Sequence, residues 1–273
     1  MTSQNGFMKK IGLLLMFSLC LKAQAPVPLG TASTFAVLAG STVTSTGNTV
    51  VNGDLGVSPG LSVTGFPPGI VTNGATYTGV GSLAGTAQSD LTTAYVDAAG
   101  RACPGPALAG DIGWTTILPG VYCNSSSVGI TGTVTLDGSG NPNAVFIFQI
   151  GSTLTTASNN SNVNLIGGAS ASNVFWQVGS SATLGTSTTF NGTILAQASV
   201  TANTGAVLNG RALARTGAVT LARNTIITSP IGGSGTPPPS VPAPPSLILV
   251  MAGLALTALY LERERLLARF RRS

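Results

Sequence analysis

Thr183 and Thr186 are followed eighteen residues later by Thr201 and Thr204, and the same register reaches Thr220 downstream and Thr44 far upstream. Each threonine offers a hydroxyl that holds a water and a methyl that water solvates poorly. Repeated at a fixed interval, such side chains organise water at a surface. Bond-making chemistry lacks its parts. The chain has no His, and between residues 26 and 230 it has neither Lys nor Glu, only four Arg (101, 211, 215, 223) and five scattered Asp (54, 90, 97, 111, 137). Acid–base catalysis and metal binding draw on the missing residue types. The chain therefore does not read as an enzyme, and no catalytic residue, metal ligand or cofactor is expected. The formal charge of +5 belongs to the ends, at Lys9, Lys10 and Lys22 and at Arg263, Arg265, Arg269, Arg271 and Arg272, and the body carries a net −1. A nucleic-acid surface needs clustered cations on the folded body, which excludes that partner.

Both ends read as addresses. Met8-Lys9-Lys10, the apolar run Ile11 to Leu21 and Ala23-Gln24-Ala25 make a secretory signal over residues 1–25, cleaved after Ala25. Cys20 leaves with it. Residues 229–245 form a Pro/Gly/Ser linker, with Pro237-Pro238-Pro239 extended and semi-rigid. Residues 246–261 are uncharged and apolar, and 262–273 form an Arg-rich tail. Sixteen residues rise about 24 Å as a helix, against a bilayer core of roughly 30 Å; snorkelling Arg263 and interfacial Tyr260 cover the difference. A single transmembrane helix with a cytoplasmic tail is expected, leaving the body outside. The three-part layout resembles the PEP-CTERM sorting signals, although Val241-Pro242-Ala243-Pro244 lacks their Glu. The resemblance implies that a sorting enzyme removes the helix; without that enzyme it stays as an anchor.

Two cysteines survive processing, Cys103 and Cys123, and an exported chain closes such a pair as one structural disulfide. Residues 26–228 are rich in Thr, Ser, Gly, Ala, Val and Asn, in short alternating runs bounded by turn residues: Val43 to Thr46, Val145 to Ile150, Val174 to Val178 and Val200 to Asn203. The segment Ala182 to Ala196 repeats as Ser199 to Ala214, with Asn191-Gly192 and Asn209-Gly210 eighteen residues apart. A partial copy starts at Ala218, and another lies upstream at Val43 to Leu55. A unit of this length, with three short strands and Gly/Asn corners, is one coil of a β-solenoid. Leu83, Ala87, Leu91, Ala94-Tyr95 and Ala98 recur at helical spacing, which predicts one helix over about 83–100 with Ser82 as N-cap and Gly100 as stop. Its single apolar face should lie along the solenoid. Trp114 and Trp176 read as core or cap anchors, Asp54 and Asp137 as turn formers, and Arg211 and Arg215 as partners of Asp54 or members of a solvated side.

Leu29 to Val43, Gly53-Asp-Leu-Gly-Val-Ser-Pro-Gly60, Val63-Thr-Gly-Phe-Pro-Pro-Gly69, Ala87 to Tyr95, Leu118-Pro-Gly-Val-Tyr-Cys123, Asn143 to Thr156, Asn173 to Gly179 and Gly210-Arg-Ala-Leu-Ala-Arg215 together resemble the microbial ice-binding protein family. The match runs from about Leu29 to Thr228 in the family's order. It implies a mainly β fold, a three-sided right-handed β-solenoid with one long α-helix packed alongside. It also implies that N-terminal strands stack beside the C-terminal coils, which would account for the upstream repeat copy.

The implied partner is ice, or ordered water, bound by a monomeric body. Neighbouring coils place equivalent residues about 4.8 Å apart, and alternate residues of a strand lie roughly 6.7 Å apart. A level grid of Thr at those spacings, stiff at χ1, holds a lattice of waters. The family's loose Thr-Ala/Gly-x-Thr/Asn motif and the repeat register nominate Thr44, Thr46, Thr156, Asn159, Thr183, Thr186, Thr201, Thr204 and Thr220, with Arg223 at the edge of the grid. The competing function is a cell-surface adhesin or matrix solenoid without ice affinity, its Thr and Ser serving solubility alone.

Overall fold

The computed structural model describes residues 24–105, 107–159 and 161–228. Most of the expected signal, and the linker, apolar segment and basic tail from 229 on, lie outside the described residues. Among these residues no helix is long and apolar enough to cross a membrane.

Runs of Val, Ile, Thr and Phe form strands because branched and aromatic side chains suit a pleated, half-buried surface. The N-terminal part contributes β1 (Phe35–Ala39), β2 (Thr42–Thr46), β3 (Val50–Asn52), β4 (Asp54–Val57), β5 (Ser62–Thr64), β6 (Ile70–Thr72) and β7 (Thr76–Thr78). Helix α1 spans Leu83–Gly100. Next come β8 (Thr116–Ile117), β9 (Gly120–Asn124), β10 (Val128–Ile130), β11 (Thr133–Asp137), β12 (Phe146–Ile150), β13 (Leu154–Thr156), β14 (Asn162–Ile166) and β15 (Val174–Val178). The last are β16 (Ala182–Leu184), β17 (Thr189–Ala196), β18 (Val200–Ala202), β19 (Val207–Ala214), β20 (Val219–Ala222) and β21 (Thr225–Ile227).

These strands form parallel sheets of eleven, seven and three strands. Along most of the chain successive strands join different sheets: β12, β13 and β14 visit the three in turn before β15 returns to the first. The chain therefore winds in solenoid-like coils. Strands β17 and β19 turn a corner within their own length at Gly192 and Gly210, whose φ values of 118° and 152° favour glycine. A side chain at Gly210 would also collide with the Gly192 carbonyl, its Cβ only 1.9 Å from that oxygen. Chain order and stacking order differ, because β1, β2 and β3 pair with β19, β20 and β21 from the far end of the body.

Strand alternation sends one set of side chains inward. Trp176 stacks on Phe148 with ring centroids 4.0 Å apart, Phe190 lies 5.1 Å away on its other side, and Tyr122 continues the stack beyond Phe148. The indole Nε1 donates to the Asn191 carbonyl at 3.1 Å, so the core's largest side chain leaves no polar atom unsatisfied.

Helix α1 starts where expected: the Ser82 hydroxyl accepts the Ala84 N–H at 3.2 Å. It buries Ala84, Ala87, Leu91, Ala94 and Ala98 against Leu38, Ile147, Phe175, Leu195 and Leu213. Leu83, expected on that face, is exposed, and Ala84 takes its place. Small residues let the helix lie close to the sheet, and glutamines fasten it there. Gln149 donates to the Ala98 and Arg101 carbonyls, both at 2.8 Å, satisfying acceptors that a helix end leaves open. Gln177 donates to the Tyr95 hydroxyl at 2.8 Å. Asp90 accepts the backbone N–H and hydroxyl of Thr31 at 2.7 and 2.6 Å, tying α1 to the N-terminal turn. A disulfide joins Cys103, just past the helix, to Cys123 in β9.

The arginines settle differently from the expectation of a pairing with Asp54. Arg211 is buried and its Nε donates to the Ser33 carbonyl at 2.9 Å; burial pulls its pKa down to about 10, so it remains a cation at neutral pH. Arg215 sits over the Tyr95 ring, 4.6 Å from its centroid. Asp54 instead accepts from Ala75 N, and Asp137 closes its own turn by accepting from Ser139 N.

Candidate functional site

The seven-stranded sheet runs β10-β13-β16-β18-β20-β2-β5 and forms one side of the body. Its inward residues include Val43, Val128, Leu154, Leu184, Val200, Val219 and Leu221, all in the core. The residues between them face out, and they stand in register. Thr155 pairs with Thr183, Thr183 with Thr201, Thr201 with Thr220, Thr220 with Thr44, and Thr44 with Thr64. Six threonines thus form one column, which Gly129 of β10 continues beyond Thr155. Five steps of about 4.8 Å give the threonine column a length of about 24 Å.

A second column lies two residues earlier in each coil. Thr42 pairs with Ser62. The Thr153 hydroxyl donates to Ser127 Oγ at 2.8 Å, Ser199 N donates to Ser181 Oγ, and Ala218 N donates to Ser199 Oγ. Apart from Ala218, which takes part through its backbone N–H, these are short alcohols, held in place by their neighbours. None of the seven strands contains a charged residue.

The nominated residues divide. Thr44, Thr183, Thr201 and Thr220 all lie in the central column. Thr46 is exposed two residues on from Thr44, opposite Ala222. Asn159, Thr186 and Thr204 lie off the strands, in the turns that follow β13, β16 and β18, where Asn159 N donates to the Thr186 carbonyl and Ser187 N to the Thr204 carbonyl. Thr156 faces inward and is only 3% exposed. Its hydroxyl accepts Gly185 N at 2.7 Å and meets Thr188 Oγ1 at 3.1 Å, so it braces the corner from inside. Its neighbour Thr155 takes the outward place. The register also adds Thr64, whose segment Ser62-Val-Thr64 lies outside the eighteen-residue repeat. The signal that could have found Thr155 is the inward Leu154 beside it: alternation makes residue 155 face out and 156 face in.

The flanks carry the nearest charges. Asp111 bridges to Gly129 at one end of the sheet. Its carboxylate accepts from the Thr131 hydroxyl, Gly113 N and Thr131 N, and these bonds, the hydroxyl's first, hold its pKa below the usual carboxylate range. Arg223 lies at the corner after β20 with φ 50°, its N–H donating to the Thr46 carbonyl and its stem laid across Gly47, where a Cβ would come within 2.7 Å of its Cγ. Such a surface offers rigid, neutral, regularly spaced methyls and hydroxyls. Among the described residues no cluster of metal-binding side chains occurs.

Residues 37–227 match the family model described as Ice-binding-like. A protein from Nostoc sp. (strain HG1) named ice-binding protein is 49% identical over 249 residues, covering 89% of this chain and 89% of its own. An ice-binding protein of Colwellia sp is 41% identical, covering 73% of this chain and 83% of its own. Among solved structures, an ice-binding protein from an Antarctic biological consortium superposes with a TM-score of 0.73 at 50% identity, covering 78% of this chain and 95% of its own. That of the Antarctic ascomycete Antarctomyces psychrotrophicus gives 0.72 at 40% identity, covering 76% and 100%. With the matched region spanning most of the folded body, this chain belongs to the ice-binding family.

Proposed function

We propose that the protein is an exported ice-binding protein whose body, a three-sided right-handed β-solenoid, adsorbs to ice through the seven-stranded Thr face. The observation that carries this is the unbroken register of Thr155, Thr183, Thr201, Thr220, Thr44 and Thr64 on a sheet without charge. Waters bonded to the hydroxyls and seated between the methyls sit at the strand spacing and freeze into the crystal surface. Stiff χ1 rotamers and the bonds within the flanking Ser/Thr column keep the ordering entropy of adsorption small. Bound molecules pin the advancing surface between them, restraining growth and recrystallisation, or hold the cell against ice. The central-column threonines Thr44, Thr183, Thr201 and Thr220, joined by Thr155 and Thr64, make the main contact, with Thr46 beside them and Asn159, Thr186 and Thr204 along the corner.

No catalytic step, cofactor or metal enters this function, and the body acts as a monomer. The sequence pattern of a signal over 1–25 and of an apolar segment over 246–261 supports a location outside the cell, either anchored or released by a sorting enzyme. Mass spectrometry of the native product distinguishes a retained from a removed C-terminal segment.

Replacing Thr201 by Tyr sets a bulky ring in the middle of the column. The variant should keep the fold by circular dichroism and lose incorporation into a slowly growing ice hemisphere. Wild-type protein excluded from ice would leave the adhesin function; retained incorporation of Thr201→Tyr would move the contact to another side.

A further inference from the structure

Trp114, expected as an anchor in the core or at a cap, is 78% exposed. Its backbone is left-handed, at φ 63°, a conformation that a bulky non-glycine residue rarely adopts and that marks functional sites when the surroundings enforce it. The surroundings do enforce it. Asp111 accepts from Gly113 N at 2.9 Å and from both donors of Thr131, and Trp114 N donates to the Thr133 carbonyl at 2.8 Å. Gly113 and Gly132 have no room for a side chain: a Cβ on the first would lie 2.3 Å from the Thr131 carbonyl, and one on the second 2.2 Å from the indole Cε2. The ring is thus seated on a glycine floor by a rigid loop, with most of its surface in water. Closing the edge of the end strand β10 does not require it, because backbone bonds between Ile112 N and the Gly129 carbonyl and between Gly129 N and the Gly110 carbonyl already do so.

We propose that the Trp114 loop is a carbohydrate platform, on which the indole face stacks against one pyranose ring of a polysaccharide. The π-face of the indole carries partial negative charge, and the axial C–H bonds of a pyranose carry partial positive charge. The exposed residues nearest it along the chain are mainly polar, Asp111, Thr115, Thr116 and Thr131, and suited to sugar hydroxyls, with Leu118 the large apolar exception. A protein hot spot would want an apolar surround that excludes water. A nucleic acid would stack equally well, but its phosphates would meet the Asp111 carboxylate and a body of net −1. The platform lies past the Gly129 end of the Thr column, where Asp111 bridges to Gly129, and gives an ice-adsorbing protein a hold on a glycan surface.

The full chain is titrated with cellohexaose, xylohexaose, chitohexaose and mannohexaose, all neutral, while tryptophan emission is followed. Trp176 is buried, so the change reports Trp114. At least one saccharide should shift the emission and protect it from acrylamide quenching. Trp114→Gly, which relieves the left-handed strain and so folds, should weaken that saccharide by about tenfold or more, about 1.4 kcal/mol, while Trp114→Tyr keeps most of the affinity. Ice incorporation should be unchanged in both variants. The proposal is overturned if no saccharide of the four shifts the emission, or if binding survives in Trp114→Gly. It is equally overturned if emission follows protein concentration together with dimerisation, which would assign the ring to a second copy, or if ice incorporation falls with the ring's removal.

Discussion

Thr44 and Thr220 lie directly opposite one another on adjacent parallel strands, although 176 residues separate them in the chain. Their pairing is the seam where the N-terminal coil stacks on the last C-terminal one, and it makes a single column from two stretches of sequence. Without it the Thr ladder would end at Thr220. With it, Thr44 and Thr64 extend the ladder by two further strands.

Adjacent threonines in β13 should separate ice contact from folding. Thr155→Tyr should abolish incorporation into ice and leave the melting temperature nearly unchanged, as surface substitutions lie within about 0.5 kcal/mol. Thr156→Val should do the reverse. It takes the buried acceptor from Gly185 N and one of two partners from Thr188 Oγ1, which keeps the Ala157 carbonyl, at a cost of about 1–3 kcal/mol, while the protein that remains folded still enters ice. Thermal denaturation and ice uptake on the same two variants check both halves.

Arg223 places a hydrated guanidinium at the corner of a neutral face, in the turn row that other coils fill with Thr186 and Thr204. An ion keeps its own water shell and disturbs an ordered layer beside it. Arg223→Asn removes the charge with a residue that tolerates the local φ of 50°. Ice uptake and thermal hysteresis should rise, Arg223→Lys should match the wild type, and stability should stay within about 0.5 kcal/mol. A lower activity in the Asn variant would make the guanidinium part of the contact.

Asp90 gives the fold an acid limit. The hydroxyl of Thr31, then its N–H, stabilise the carboxylate and hold its pKa below the ordinary value. A group whose folded pKa is depressed stabilises the fold above its unfolded pKa of about 3.9, and that contribution disappears as pH falls through the folded value. Melting temperature should therefore drop on acidification below about pH 4, and Asp90→Asn should flatten that drop while lowering stability at pH 7. A pH series of melting curves for both proteins tests the sign.

Trp176 fills the interior between Phe148 and Phe190. Trp176→Ala should cost about 3–5 kcal/mol, a fall on the order of 10 °C in a body of this size. Differential scanning calorimetry measures it directly, and a loss below about 1 kcal/mol would mean that the coils collapse into the vacated space.

Much of this protein is legible along the chain, because its coils repeat. Asn191-Gly192 and Asn209-Gly210 mark corners eighteen residues apart, and where one coil follows another at that interval, sequence offset and spatial stacking are the same thing; Thr183 over Thr201 follows from counting. Helix α1 is equally local, with its N-cap and its Ala and Leu stripe lying within a single segment. Three features depend on contacts between distant segments. Thr155 and Thr156 are the same residue type side by side, so composition cannot say which faces out, and a shift of one residue exchanges the two faces of a strand. Thr64 joins the column only because β5 pairs with β2, which no repeat interval announces. Trp114 stays in solvent because Gly113, Gly132 and Asp111 hold its loop left-handed, a constraint set by atoms that meet only after the chain has wound. Composition and repeat spacing determine which side chains this protein can offer to water. Side-chain parity and strand pairing across the seam, which follow from backbone hydrogen bonding between remote coils, decide which of them it does offer.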